Sequence, residues 1–410
     1  MHIHAIHRRY SYSERLIVLG LILATWSCVN SSNQEQATDG STADTPSATF
    51  VANPQYVEKQ DVPILEIGAK APDFTLPGVD GKFHSLDDYS SAEVLVLLFT
   101  CNHCPTAQAY EERVKNLVSD YQDKSFQLIA ISPNSPLGLL YQELGYSDLN
   151  DDYKDMISRA EYAKFNFPYL YDGDNEKVSL QYGPVATPHA FVFDKERKLQ
   201  YQGRLDKEEK PGALQADDLR AAIDAVLAGK VVAVQTTKVF GCSTKWGWKT
   251  DYKEKVDKEW SQKAVSLEMA DVPEIQEIMK NEGSGKLRLV NVWATWCGPC
   301  IVEYPDFVIL QRMYGRRDFE FVSISADKPT DQEKALAFLQ EKNSAVKNYL
   351  FSKDDKYALI EAVDADWNGA LPYTVLIDAE GQKIWSQQGQ VDFLELKRKI
   401  VEHPLIGRIY

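Results

Sequence analysis

Two pairs of cysteines carry the most specific chemistry in this chain: Cys101-Asn102-His103-Cys104 and Cys297-Gly298-Pro299-Cys300. Thiols at this spacing can cycle between dithiol and disulfide, or as thiolates supply half of a tetrahedral zinc site. Each pair follows an apolar run, Val94 to Phe99 in one case and Leu287 to Trp293 in the other, and precedes a helical pattern. A cysteine between a strand end and a helix start meets free backbone N–H groups and the positive end of the helix dipole. Both favour the thiolate, the species that attacks a disulfide. On that placement Cys101 and Cys297 are the expected nucleophiles. Cys104 and Cys300, one turn further on, are the expected resolving thiols. Each pair heads its own strand–helix unit, so redox chemistry is favoured over a shared zinc centre. No metal is expected, and the cysteine pairs themselves serve as the redox centre in place of a bound cofactor.

His103 lies between two of these thiols. A protonated or polar imidazole there would stabilise a thiolate and make the disulfide more oxidising; the alternative is a solvent-facing spacer. Cys242 stands apart from both pairs in Gly241-Cys242-Ser243-Thr244-Lys245-Trp246. It is either a further redox thiol that resolves or regulates Cys101, or a buried apolar thiol.

The elements that must position these residues follow from hydrophobic periodicity. In the first half, Val94 to Phe99 is an unbroken apolar run, as expected of a strand covered on both faces, and Phe126 to Ile131 reads as a second buried strand. Helical patterns cover Ala107 to Tyr121, Tyr153 to Phe165 and Asp217 to Leu227, and a strand pair covers Ala190 to Phe193 and Leu199 to Gln202. The second half repeats the order. Strands are expected at Leu287 to Trp293 and Phe319 to Ser325, and helices at Val302 to Tyr314, bent by Pro305, and at Asp331 to Lys342. A strand pair at Thr374 to Ile377 and Lys383 to Ser386 precedes a last helix from Phe393. Two copies of one plan predict two α/β domains, each a central mixed sheet flanked by helices.

The N-terminus predicts export. Arg8, Arg9 and Arg15 precede the apolar run Leu16 to Ala24, which is far short of the ~20 residues that span a bilayer. Cys28 then opens a polar stretch. This resembles a bacterial lipoprotein, which implies lipidation at Cys28 and a membrane anchor. The expected organisation is a signal segment at 1–28, a disordered tether at 29–60, a first domain at 61–249, a linker at 250–262 and a second domain at 263–410. In composition, Lys+Arg 45 against Asp+Glu 60 gives a net charge of -15. That balance argues against nucleic acid, whose binding rests on clustered basic groups.

Trp293-Ala294-Thr295-Trp296-Cys297-Gly298-Pro299-Cys300 resembles the thioredoxin superfamily, and in particular its TlpA/ResA-type reductases. Glu303 and Pro305 follow at the spacing of that group. Leu371-Pro372-Tyr373-Thr374 is similar to its cis-proline loop, which implies backbone that pairs with a substrate chain. Asn291 stands where thioredoxin carries a buried Asp, so Glu303 is the candidate for proton transfer at Cys300; the alternative is a solvated carboxylate on a helix face. The first half resembles the AhpC/TSA-like redoxins. The resemblance rests on Gly68 to Leu76, Asp80-Gly81-Lys82, Ser85-Leu86 and the Cys-Asn-His-Cys-Pro signature at 101–105. Thr187-Pro188 stands as its cis-proline, and His189 beside it reads as structural. Peroxidases of that family use Pro-x-x-x-Thr-x-x-Cys. Counting back from Cys104 places Cys101 and Leu97 at those positions, and counting back from Cys101 places Leu98 and Val94 there. The resemblances together imply two thioredoxin-like domains and an exported thiol–disulfide oxidoreductase, acting on protein disulfides with a thiol reductant at the membrane. A peroxidase working through the first domain and a non-enzymatic scaffold are the alternatives. The spacers further predict that electrons run from Cys297/Cys300 to Cys101/Cys104, because a His spacer favours the more oxidising couple.

Overall fold

The computed structural model describes residues 50–212 and 215–408; Cys28 and the expected signal segment lie outside the described residues. The first half opens with a short hairpin, β1 (Thr75–Pro77) and β2 (Phe83–Ser85). Then come β3 (Val94–Phe99), α1 (Pro105–Asp120), β4 (Phe126–Ser132), α2 (Tyr153–Ala163), β5 (Tyr169–Tyr171) and the single turn α3 (Ser179–Tyr182). β6 (Ala186–Thr187), β7 (His189–Phe193), β8 (Leu199–Gly203) and α4 (Asp217–Leu227) follow, and β9 (Cys242–Ser243) closes this half. The sheet order is β5-β4-β3-β7-β8, with β3 parallel to β4 and antiparallel to β7. Side chains of β3 alternate between the faces, as the pleat requires. Val94, Val96 and Leu98 pack on Tyr110, Val114 and Leu117 of α1 and Leu219 and Ile223 of α4. Leu95, Leu97 and Phe99 pack on the opposite side with Phe74, Leu76 and Tyr182.

The second half begins with α5 (Thr250–Ser261), β10 (Glu268–Ala270) and α6 (Val272–Lys280). It continues with β11 (Leu287–Trp293), α7 (Gly298–Tyr314), β12 (Phe319–Ser325), α8 (Gln332–Glu341), β13 (Lys347–Phe351) and α9 (Lys356–Val363). β14 (Tyr373–Ile377), β15 (Lys383–Gln388) and α10 (Phe393–Glu402) complete it. Its sheet runs β10-β13-β12-β11-β14-β15. Leu287, Leu289 and Trp293 face the layer of α7 and α10, while Val290 and Val292 face α6 and α9. α7 runs continuously through Pro305.

Three expectations need correction. Residues 50–60 are not part of a disordered tether. Phe50 packs edge-on against Tyr153 with ring centroids 4.8 Å apart, and the backbone N–H groups of Asn53 and Gln55 both donate to Asp174. One partly buried aromatic ring packed against others outweighs the polar composition around it. The expected linker is a helix, α5, but it is docked rather than spacing. Arg312 pairs with Asp257, and Trp260 Nε1 donates to the Asn343 carbonyl at 3.0 Å. β10 and α6 were not expected; the two exposed residues of β10 hide its apolar signal.

The halves also share a core. Leu139 and Leu144, from the first, sit in the cluster around α7. Tyr314 Oη donates to the Ser147 carbonyl at 2.8 Å, and the buried Asp148 accepts from Arg398 at 3.2 Å and Arg408 at 2.8 Å. Both belong to one compact unit. Among the described residues, no helix is long and apolar enough to cross a membrane.

Candidate redox sites

In the first site the helix begins at Pro105, two residues before the expected Ala107. Cys104, not Cys101, is the N-cap of α1, and Pro105 takes the first helical position. Proline suits that position because its missing N–H would have no partner there. The helix dipole and the free first-turn N–H groups therefore serve Cys104. Its Sγ lies 3.1 Å from the Thr187 carbonyl and accepts from the Cys242 N–H at 3.3 Å. Cys101 Sγ lies 3.1 Å from Thr187 Oγ1 and 3.5 Å from His103 Nδ1.

Burial alone would push both thiols up. Cys101 is raised further by Cys104 and by the Asp151 charge. Cys104 goes the other way, because hydrogen bonds from the Cys101 and Cys242 thiols, the His103 charge and the Ala107 N–H outweigh burial. The Thr187 carbonyl opposes ionisation without reversing it. Helix placement and charge thus favour the thiolate at Cys104, where the sequence reading puts it at Cys101.

His103 is buried, so the solvent-facing spacer is excluded. Its Nδ1 donates to Asp151 Oδ2 at 2.5 Å. Burial would lower the imidazole pKa, but the Asp151 charge and this hydrogen bond raise it above the ordinary value. Asp151 also accepts from the backbone N–H groups of Asn102 and His103, at 2.9 and 3.0 Å, and from Asn134 at 2.7 Å. Burial opposes its charge, yet these donors hold its carboxyl below the usual range. Sulfur, nitrogen and oxygen of Cys101, His103 and Asp151 lie within 4.8 Å of one another, a metal-like donor set already accounted for by these hydrogen bonds. His189 Nε2 meets Gln202 Oε1 at 2.8 Å, and burial brings its pKa down to about 4, as a neutral structural histidine requires.

In the second site Cys297 is the N-cap of α7, and its Sγ accepts from the Cys300 N–H at 3.4 Å. Cys297 and Cys300 are joined by a disulfide. Asn291 Nδ2 donates to Thr374 Oγ1 at 3.0 Å, and the Trp293 indole donates to Ser323 Oγ at 2.7 Å. Glu303 is buried rather than solvated. Its Oε2 accepts from the Val391 N–H at 3.1 Å, and its Oε1 has no partner among the described residues. Burial, with Asp306 adding, pushes its pKa up to about 7. Trp296 is exposed (59%) and edges a groove of about 320 Å³ lined by Asp327, Phe351, Trp367 and Leu371. Thr187–Pro188 and Leu371–Pro372 are both cis.

The AhpC/TSA family model matches residues 67–202, and the Redoxin model matches residues 263–399. The thiol:disulfide interchange protein DsbE of Pseudomonas aeruginosa is 30% identical over 133 residues, which cover 29% of this chain and 68% of that protein. The chain belongs to the thioredoxin superfamily. The thiol:disulfide interchange protein HelX of Rhodobacter capsulatus is 32% identical over 124 residues, 30% of this chain and 62% of its own length. The chain spans less than two thirds of HelX and of other curated relatives it matches, including 57% of a Coprinus comatus thioredoxin. An uncharacterized conserved protein from Geobacillus kaustophilus has 34% identity, with 44% of this chain and 92% of that one covered and a TM-score of 0.40.

Within this superfamily chain the two C-x-x-C units are out of step. The helix starts after the first cysteine in the second half and after the second cysteine in the first. Cys242, read beside Cys101, lies instead against Cys104. Sequence reasoning missed Asp151. The Asn150-Asp151-Asp152 run ahead of α2 offered a signal, since capping uses only one of the two aspartates, Asp152. The two C-x-x-C sites are not brought together. α7 extends roughly 25 Å from Cys297 to Tyr314 at 1.5 Å per residue, and it is the Tyr314 end that meets the loop carrying Asp151.

Proposed function

We propose that the chain is an exported thiol–disulfide oxidoreductase that reduces protein disulfides at Cys297/Cys300, with Cys101/Cys104 as a second, separately built dithiol site. The observation that carries the reading is Cys297 at the N-terminus of α7, with the Cys300 N–H on its sulfur and Glu303 buried one turn beyond Cys300. In the reduced site the Cys297 thiolate attacks a substrate disulfide. One substrate sulfur bonds to Cys297 and the other leaves as a thiolate. Cys300 then gives up its proton and attacks Cys297, which re-forms the Cys297–Cys300 disulfide and frees the second substrate sulfur. Glu303, with a pKa near neutrality, is suited to accept that proton. The groove beside Trp296 suits an extended protein substrate.

A peroxidase role for the first site is less well supported. Cys101 borders a space of only about 10 Å³, at the limit of a single water, and no threonine stands at the peroxidase position. A lipid anchor at Cys28 and a membrane thiol as reductant complete the reading, on the strength of Arg8 to Cys28. In the full chain carrying Cys101→Ser and Cys104→Ser, insulin reduction should persist, and adding Cys297→Ser should abolish most of it. Undiminished turnover after the third change would overturn the assignment.

A further inference from the structure

The first site poses a problem of access. Cys101 is 3% exposed and Cys104 0%, so the pair offers little sulfur surface to a second molecule. Cys242 is the one cysteine of this cluster that reaches solvent. β9 pairs with β6 so that Cys242 stands opposite Thr187, the residue whose carbonyl and hydroxyl contact Cys104 and Cys101. Gly241 makes the approach possible: a Cβ there would lie 2.1 Å from the Thr187 carbonyl oxygen. The Cys242 N–H points at Cys104 Sγ from 3.3 Å, and Cys242 packs against the cluster of Cys101, Cys104 and Ala107.

We propose that Cys242 is a third working thiol, which exchanges the buried Cys101–Cys104 disulfide for a Cys104–Cys242 disulfide and so carries it to the surface. This rests on reading the first pair as a dithiol site. In the first step Cys242 attacks Cys104 Sγ. The Cys104–Cys242 bond forms, the Cys101–Cys104 bond breaks, and the proton lost by Cys242 ends on Cys101. An external dithiol then attacks Cys242 Sγ, loses one proton to water, and forms a mixed disulfide. The Cys104–Cys242 bond breaks, and Cys104 leaves as a thiolate. The second sulfhydryl of the dithiol attacks its own mixed-disulfide sulfur, closes a disulfide, and returns its proton to Cys242. The dithiol is oxidised by two electrons and the Cys101–Cys104 pair is reduced by two; the reverse sequence reduces an external disulfide.

The surroundings favour the second exchange. In the first, Cys104 and burial hold the proton on the attacking Cys242, and Cys101 is the poorer leaving group, so that step rests on the close approach of Cys242 to Cys104. Burial and its neighbours hold the proton on Cys101, while donors stabilise negative charge on Cys104. A stabilised thiolate is the faster leaving group, so Cys104 is the sulfur best expelled when Cys242 is attacked from outside.

The test uses the full chain with Cys297→Ser and Cys300→Ser, so that only the first site responds. With Cys101→Ser added, mild diamide oxidation should yield a Cys104–Cys242 disulfide, identified by non-reducing peptide mass mapping. With Cys242→Ser instead, the Cys101–Cys104 disulfide should still form, but its reduction by dithiothreitol should slow by about tenfold or more. A Cys101–Cys104 disulfide that forms without any Cys104–Cys242 product, or an unchanged reduction rate, would overturn this proposal alone. Failure of the parent protein to form Cys101–Cys104 at all would overturn both it and the dithiol reading of the site.

Discussion

His103 and Asp151 face each other at 2.5 Å, both sealed from solvent; the His103 charge helps a thiolate at Cys104, while the Asp151 charge opposes one at Cys101. Removing one member of a buried pair leaves the other uncompensated, at a cost of about 3–5 kcal/mol. Asp151→Asn should therefore destabilise the fold by that order. The pH dependence follows from the signs of the shifts. His103 is raised, so its contribution is full below about pH 6.5 and is lost as pH rises through its folded value. Asp151 is lowered, so its contribution is full above about pH 4 and is lost as pH falls through its folded value. Urea melts of wild type and variant should thus differ most in the window between. A gap that widens above pH 8 would contradict the pair.

Glu303→Gln should act in opposite directions on activity and stability. A carboxyl raised to about 7 destabilises the fold as pH climbs from its ordinary value to that point, so the variant should melt higher than wild type at pH 8. Insulin reduction by the second site should at the same time fall by about a hundredfold at pH 7 and lose its inflection near neutrality. An unaltered pH–rate profile would return Glu303 to a purely structural role.

Asp148 accepts from Arg398 and Arg408 across the two halves and is wholly buried. Burial opposes its charge, but the arginines keep its carboxyl below the usual range. Asp148→Ala should cost about 3–5 kcal/mol and make the junction at α5 more open to limited proteolysis. Wild-type protection of that junction would show that the apolar contacts at Leu139 and Leu144 hold the halves without it.

Trp296→Ala should leave stability within about 0.5 kcal/mol, as for most exposed positions. It should raise KM for insulin while sparing turnover of a small aromatic disulfide. Equal loss on both substrates would mean that the indole shapes Cys297 rather than the groove.

Much of this molecule was legible because its signals are local. β3 is an unbroken apolar run and β11 and β12 are strongly apolar segments, all readable without neighbours, and both cysteine pairs are contiguous. What escaped was long-range. Asp151 reaches His103 across 48 residues, and Cys242 reaches Cys104 across 138, neither of which leaves a periodic trace. The sequence places the favoured thiolate at Cys101 for a subtler reason: apolar periodicity does not show that the cap of α1 is Cys104, and the cap decides which sulfur the dipole serves. The docked α5 escaped because its lysines and glutamates conceal Trp260, the residue that anchors it.

α7 places Cys297 at one end and the contact with the first half at the other. The downhill flow expected between the pairs then changes its kinetic order. A handover between touching sites would be first order and indifferent to dilution. Any traffic from one pair to the other would instead pass through a diffusing carrier or a second copy of the chain, so its rate should scale with the concentration of that species. Covalent linkage of the two domains thus fixes their stoichiometry at one to one without wiring them in series.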